Sequence, residues 1–287
     1  MNIELKNNNS LSAFEQKVQI VEKGMLEQEQ VDCPVVHRFG PNIYIREVTL
    51  PADTFAVGHY QKTLHMNVML TGRVTVINED GTTKELKAPQ TFVSKPGRKI
   101  GYIHETVIWQ NIYATDETDV EKLEAMFLEK SVTFLEHKKI NDLLLSYDNS
   151  DDVEDYKNVL KEFGFDQETV TKQTENLDDQ IEMPFGNYSF MVSNSKIEGK
   201  GVFATKHFTV DEVVGPARIN GMRTPLGRYT NHSKNPNAKM VLKEDGDIDL
   251  VMIKPVTGCK GGQMGDEITV DYRQVLKLSL GEEICQE

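Results

Sequence analysis

Residues 12–29, "SAFEQKVQIVEKGMLEQE", space their apolar side chains at helical intervals and predict a short amphipathic helix interrupted at Gly24. From Ile43 the spacing changes to period two. "NIYIREVTL", "HMNVMLTGRVTVIN", "TTKELKA", "QTFVSK", "KIGYIH" and "TVIWQNIYA" predict short strands punctuated by Gly, Pro and Asp-Gly. "NEDGTTKE" predicts a hairpin turn, because Asp80-Gly81 suits the left-handed positions of a tight loop. Many short strands at regular spacing predict a small barrel or sandwich rather than a parallel sheet.

Helical spacing returns in "DETDVEKLEAMFLEK", which puts Val120, Leu123, Phe127 and Leu128 on one face. It recurs in "DVEDYKNVLKEFG", where Val153, Tyr156, Val159, Leu160 and Phe163 form a stripe and Gly164 ends the helix. After Pro184 the chain reverts to short strands: "SFMVSN", "GVFAT", "DEVVGPARI", "AKMVLKE", "IDLVMIK" and "DEITVDY". The expected class is mainly β with a helical connector (α+β). The expected divisions are a helical arm (1–36), a β-barrel (37–115), an acidic helical connector (116–184), a second β-domain (185–275) and a tail (276–287).

Charge sharpens that division. The net charge of −13 is not spread evenly. Residues 1–113 carry 12 basic and 12 acidic side chains, and residues 186–287 carry 13 of each. Residues 114–185 hold 7 basic against 20 acidic. Such a middle repels phosphate backbones, so nucleic acid is not an expected partner, whereas a positively charged protein would be attracted. Its charges are most simply a solvated face. The chain's 287 residues suffice for two domains, and no apolar run approaches the ~20 residues that span a bilayer. No membrane association and a cytoplasmic location are expected. Cys33, Cys259 and Cys285 are widely separated, which excludes a disulfide framework or four-cysteine zinc site.

Two segments, "GHYQKTLHMNVMLTGRVTV" and "FVSKPGRKIGYIHETVIW", resemble the cupin family, whose fold is a double-stranded β-helix. In metal-binding members the first motif supplies two histidines and a glutamate, and the second another histidine. At those positions this chain has His59, Gln61 and His65, then Lys99, with His104 further along. A divalent metal wants three or four imidazole or carboxylate ligands converging on a point, and an ammonium nearby opposes it. No metal is expected. His59 and His65 are six apart, which on one strand would turn both to the same face. The resemblance implies a binding or assembly platform and a homo-oligomer.

Three strips nearer the carboxyl end carry a second resemblance. "SKIEGKGVFATK" places Gly199 and Gly201 around Lys200; "GRYTNHSKNPNA" follows about thirty residues later; "GDEITVDYR" closes with Tyr272. In this order they resemble the SET domain, the fold of protein lysine methyltransferases. The resemblance spans roughly 187–273 and implies a pseudoknot in which the Asn-His-Ser strip passes beneath the last motif. It further implies S-adenosylmethionine as donor. Backbone groups at Lys200 and Gly201 would hold its amino-acid end, Tyr229, Asn231 and His232 would line its pocket, and Tyr272 would stand at the point of transfer and act as the catalytic residue. Arg228 is as readily structural as donor-contacting.

The chemistry suits those residue types. Transfer from a sulfonium to an amine is an in-line displacement, so positioning and exclusion of water dominate. A lysine with a pKa near 10.4 costs about 4.6 kcal/mol to deprotonate at neutral pH, and a dry channel beside a cation offsets part of that. Departures from the family are equally legible. Lys234 stands where members with a zinc tail have cysteine, and the tail "QVLKLSLGEEICQE" has only Cys285, so no zinc is expected. "VLKLSL" or the acidic helices must then finish the lysine channel. Val270 replaces an aromatic residue common before the final Asp-Tyr.

The expected function is therefore methylation of a lysine on a protein substrate. The combination of the two modules also resembles proteins from bacteriophage genomes, which would place it in a host cytoplasm. Two alternatives stand beside it: a catalytically silent binding or assembly protein, and a metal-dependent cupin enzyme acting on a small molecule.

Overall fold

The computed structural model describes residues 12–145 and 150–280. Cys285 and the end of the expected tail lie outside the described residues, as do the first eleven positions of the expected arm. The chain divides into two compact units, one comprising 1–117, 122–143 and 259–263, the other 118–121, 144–258 and 264–287. The acidic middle is thus divided between the units.

In the first unit, α1 (Ala13–Leu26) starts where the Ser12 hydroxyl accepts the Glu15 N–H at 3.1 Å. The helix runs through Gly24 without a break and buries Val18, Glu22 and Leu26. Glu22 is inside because it is paired with Arg98 and accepts the Ser131 hydroxyl at 2.6 Å.

The strands follow as β1 (Val35–Gly40), β2 (Ile43–Leu50), β3 (Thr54–Val57), β4 (Tyr60–Gln61), β5 (His65–Ile77), β6 (Thr83–Lys87), β7 (Gln90–Ser94) and β8 (Ile100–Tyr113). The two strands expected over 100–114 are a single one. β8 pairs with β5 along its length, with β3 over its first part and with β2 over its second, all antiparallel. Two long strands that exchange neighbours partway along roll the sheet around its core. That core is Met69, Val74, Leu86, Ile103, Val107 and Trp109. Register shifts between Met69 and Val74 accommodate the bend. Gly72 is at φ +83°, and a Cβ there would meet the Thr106 carbonyl oxygen at 2.4 Å, so only glycine fits.

Helix α2 (Val120–Phe127) leads into β9 (Leu128–Glu129), which pairs with β4, and then into α3 (Val132–Leu145). Phe127 stacks on Tyr113 at 4.2 Å between ring centres, and Phe134 meets His59 edge-on at 4.7 Å.

The second unit begins with α4 (Ser150–Glu162) and α5 (Gln167–Glu175) and continues through β10 (Gly186–Tyr188). One sheet holds β11 (Phe190–Asn194), β12 (Lys200–Ala204), β18 (Glu267–Val270) and β15 (Asn231–His232), in that order. The other has the order β14 (Met222–Arg223), β13 (Val213–Ile219), β17 (Ile248–Met252) and β16 (Ala238–Leu242). The short helix α6 (Pro225–Tyr229) precedes β15, and α7 (Tyr272–Leu280) follows β18. The strip expected as a tail from 276 therefore continues a helix that begins at Tyr272. Its apolar core includes Val202, Leu226, Leu250, Met252, Ile268 and Val270. Among the described residues, no helix is long and apolar enough to cross a membrane.

Candidate functional site

The three strips near the carboxyl end meet through β18. This strand runs antiparallel to β12, with Val202 opposite Ile268, and parallel to β15, with Asn231 opposite Thr269 and His232 opposite Val270. Asn237 braces the crossing: its amide donates to the Glu267 carbonyl at 2.8 Å, and its Oδ1 accepts the Thr269 N–H at 2.9 Å. That is what the polar turn after His232 does.

Asn231 is buried, and its Nδ2 lies 3.0 Å from the Lys200 carbonyl, 3.1 Å from the Glu198 carbonyl and 2.9 Å from Glu267 Oε1. Glu267 also accepts the Ser195 hydroxyl at 2.8 Å. Burial raises its pKa, while the hydrogen bonds from Asn231 and Ser195 act the other way. Gly201 lies against this carboxylate, where a Cβ would sit 2.2 Å from Oε1. Lys200 turns its ammonium to Glu121 and lies 5.9 Å above the Tyr229 ring. Arg228 stacks on the same ring at 4.8 Å and bonds to Gln180, so its visible role is structural. Beside Tyr229 is a small hollow walled by Val120, Met183, Phe190, Val192 and Pro225, with Asp119 and Glu121.

His232 is fully buried. Its Nδ1 accepts the Tyr272 backbone N–H at 3.1 Å, and its Nε2 donates to Asp155 at 2.9 Å. The Tyr272 hydroxyl donates to the Thr230 carbonyl at 3.1 Å. Desolvation, with the nearby Tyr156, Glu267 and Glu198, pushes the phenol well above its ordinary pKa, so it is a neutral donor.

The structure thus brings Lys200, Gly201, Asn231, His232 and Tyr272 into one linked region, with Tyr229 beside Lys200. It also adds residues that the sequence pattern did not single out. The acidic face of α4, expected as a solvated surface, is instead bonded to the Asn-His-Ser strip. Asp152 accepts the Ser233 hydroxyl at 2.9 Å, Asp151 pairs with Lys234 at 2.8 Å, and Asp155 holds His232. Arg273 grips Asp155 with both terminal nitrogens, at 2.9 and 3.1 Å, and Glu162 at 2.7 Å. The bonds from Arg273 and then His232 hold the Asp155 carboxyl down at about 2. Tyr156 packs edge-on to Tyr272 at 6.1 Å between ring centres. A signal existed: Asp151, Asp152 and Asp155 share a face of α4 beside the apolar stripe.

In the first unit His59 and His65 do not share a strand. His59 precedes β4, and its ring rests on Phe134; His65 opens β5 with Nδ1 at 2.9 Å from the Thr63 carbonyl. The side-chain oxygen of Gln61 accepts the Tyr113 hydroxyl at 2.5 Å. His104 Nε2 is 2.8 Å from the Thr75 hydroxyl. Among the described residues, no group of three or more His, Cys, Asp or Glu is placed to hold a metal ion.

No protein-family model matches the chain, and no curated protein matches it. Solved structures similar to parts of it include an HTH_3 family transcriptional regulator from Vibrio cholerae, at 19% identity and TM-score 0.25. That match covers 33% of this chain and 60% of the regulator, so the chain spans under two thirds of its length. Another is an RmlC-like cupin with a double-stranded β-helix fold from Methanocaldococcus jannaschii, at 16% identity and TM-score 0.25, covering 34% of this chain and 91% of that one. A third is an acetylacetone dioxygenase from Acinetobacter johnsonii, at 13% identity and TM-score 0.22, covering 26% of this chain and 52% of that one. At such partial coverage these likenesses assign neither a function nor a family to the whole chain.

Proposed function

We propose that the second unit transfers a methyl group from S-adenosylmethionine to a lysine side chain of a protein. The observation that supports this most is the joining of three distant strips by β18, which sets Asn231 against Lys200 and His232 against Tyr272. The surroundings suit a cationic donor: Glu267 and Asp155 bring negative charge to the strips, and Gly201 keeps the backbone free of a side chain. S-adenosylmethionine, when bound, supplies the electrophilic methyl group. Lys200 and Gly201 would hold it through their backbone, with Tyr229, Asn231 and His232 as pocket walls.

The chain's own contribution is orientation and dryness. Because the Tyr272 hydroxyl donates its hydrogen bond to the Thr230 carbonyl, its oxygen keeps lone pairs to accept an amine N–H. Tyr156 packs edge-on against the Tyr272 ring, and a dry surrounding helps keep an incoming amine uncharged. A partner with accessible lysines would be drawn by the acidic 114–185 segment.

Calorimetry with S-adenosylmethionine tests donor binding, which Asn231→Ala should weaken. Transfer of labelled methyl groups to a lysate should vanish in Tyr272→Phe while donor binding persists. No heat with the wild type, or undiminished transfer by Tyr272→Phe, removes the proposal.

A second reading is a metal-dependent enzyme acting on a small molecule in the first unit. It is favoured by two buried imidazole nitrogens without hydrogen-bond partners, His59 Nδ1 and His65 Nε2. Metal analysis of the purified protein and of the His59→Ala, His65→Ala double variant decides it.

A further inference from the structure

Cys33 and Cys259 stand 226 positions apart in the sequence, yet the fold brings them together within the first unit. Asp32 and Lys260 are bridged antiparallel, and the Cys33 N–H donates to the Cys259 carbonyl at 3.2 Å. The next rung of that contact therefore sets Cys33 directly opposite Cys259, with both side chains on one face. Opposed residues that share hydrogen bonds in such a rung have Cα atoms about 5.5 Å apart, within the roughly 4.4–6.8 Å that a disulfide spans. The Cys259 thiol already reaches across: its Sγ donates to the Cys33 carbonyl at 3.1 Å. Both side chains are half-buried.

The segment that carries Cys259 is anchored on the first unit. Residues 259–263 belong to it, although the chain on either side of them belongs to the second. Lys260 and Gln263 exchange backbone hydrogen bonds at 3.1 and 2.7 Å, which closes a tight turn just after the cysteine. The Gly262 N–H donates to Gln30 Oε1 at 3.0 Å, and Gly262 lies so close to Leu26 that a Cβ has no room. Lys260 adds an ion pair to Asp32 at 3.8 Å. The backbone at both cysteines is thus in position before any bond joins the sulfurs. A single bridge of this kind is compatible with a spacing that excludes a framework of several.

We propose that Cys33 and Cys259 form a disulfide when the protein meets a low-molecular-weight disulfide such as oxidised glutathione. One cysteine thiolate attacks the small disulfide, forming a mixed disulfide and expelling one small thiolate. The other cysteine attacks the protein sulfur of that intermediate, forming the Cys33–Cys259 bond and expelling the second. The protein thiols lose two electrons, the small disulfide gains them, and the two protons leave on its two thiols. Burial raises both cysteines above the usual thiol range, Cys259 to about 11, so the exchange is slow and the finished bond is poorly accessible to attack. The bond closes a loop of more than two hundred residues and fixes 259–263 in place. Long closed loops constrain the unfolded chain most. The pair is independent of the methyl-transfer proposal, since both cysteines belong to the first unit.

The test uses the full chain carrying Cys285→Ser, so that only these two thiols remain. After hours with oxidised glutathione under native conditions, both free thiols should be lost and no glutathione retained. A non-reducing digest should contain one linked peptide pair joining Cys33 to Cys259. The melting temperature should rise by about 5 °C or more and fall back on adding dithiothreitol. Cys33→Ala should show no rise on oxidation, nor should Cys259→Ser, which keeps a hydroxyl for the Cys33 carbonyl. Should either variant fold poorly, the parent's reversal by dithiothreitol carries the result. The proposal is overturned if the thiols survive, if each ends as a glutathione adduct, or if the link joins two chains. It is equally overturned if the link forms only in denaturant, or forms without raising the melting temperature.

Discussion

The backbone N–H of Tyr272 donates to Nδ1 of His232 at 3.1 Å, across 40 residues of sequence. That bond leaves Nδ1 unprotonated, so the imidazole gives its other N–H to Asp155. One ring thereby ties the start of α7, β15 and α4 together.

Replacing His232 by alanine should therefore cost more than an average substitution. It leaves a buried donor and a carboxylate without their partner and opens a cavity at a fully buried position. A loss of about 3 kcal/mol in urea unfolding is expected. A loss below roughly 0.5 kcal/mol would mean that the ring does not join these elements.

Asp155 predicts an acid-side dependence. Its folded pKa, about 2, lies below its ordinary value because Arg273 and His232 bond to the ionised form. The stabilisation is fully present above the unfolded carboxyl pKa and fades as pH falls through the folded one. Asp155→Asn should be less stable than wild type at neutral pH, with the gap narrowing between about pH 4 and pH 2. Denaturant midpoints of both proteins across that range check it; a constant gap would contradict the pairing.

Two histidines give the first unit a separate pH response. Burial brings both His37 and His59 down to about 3. Each is neutral when folded and takes up a proton on unfolding below about pH 6.5, so the stability they permit is present above that pH and lost as pH falls toward 3. At pH 5 unfolding should take up about two protons from these groups, a slope of ~1.4 kcal/mol per pH unit for each. Replacing His37 by Phe should remove about one of them.

Gly227→Ala is expected to be far worse than its small size suggests. A Cβ there would stand 2.1 Å from the Ala217 carbonyl oxygen, a backbone atom with no room to retreat. α6 would have to lift from β13, at a cost of about 2 kcal/mol or more, read as a lowered melting temperature. Gly221→Ala, where nothing lies within 4 Å but φ is +80°, separates crowding from backbone strain.

Much of this architecture was legible in the alternation of side chains. β5, β6, β7 and the six strands expected after Pro184 lie where period two put them. β1 was not legible, because its "VVHRFG" interleaves His37 and Arg38, and the buried histidine is inside only through its bond to the Tyr44 hydroxyl at 2.8 Å. β8 read as two strands because Glu105 and Thr106 interrupt its apolar pattern, yet pairing with β5 carries it through. At the candidate site, Asn231, His232 and Tyr272 were singled out through the resemblance of the strips that carry them. The role of Asp155 could not be read, since Arg273 reaches it across 118 residues and only the folded chain makes them neighbours. An acidic helix looks the same in sequence whether water or a buried imidazole meets its carboxylates.

The position of β18 has a consequence for synthesis. It is inserted between two strands that leave the ribosome earlier, so β12 and β15 wait with exposed edges until the chain is nearly finished. Closing that gap requires contacts far apart in sequence, a slow class of folding event. A translation product stopped before Glu267 keeps both edges open and should be found among aggregates or bound to chaperones.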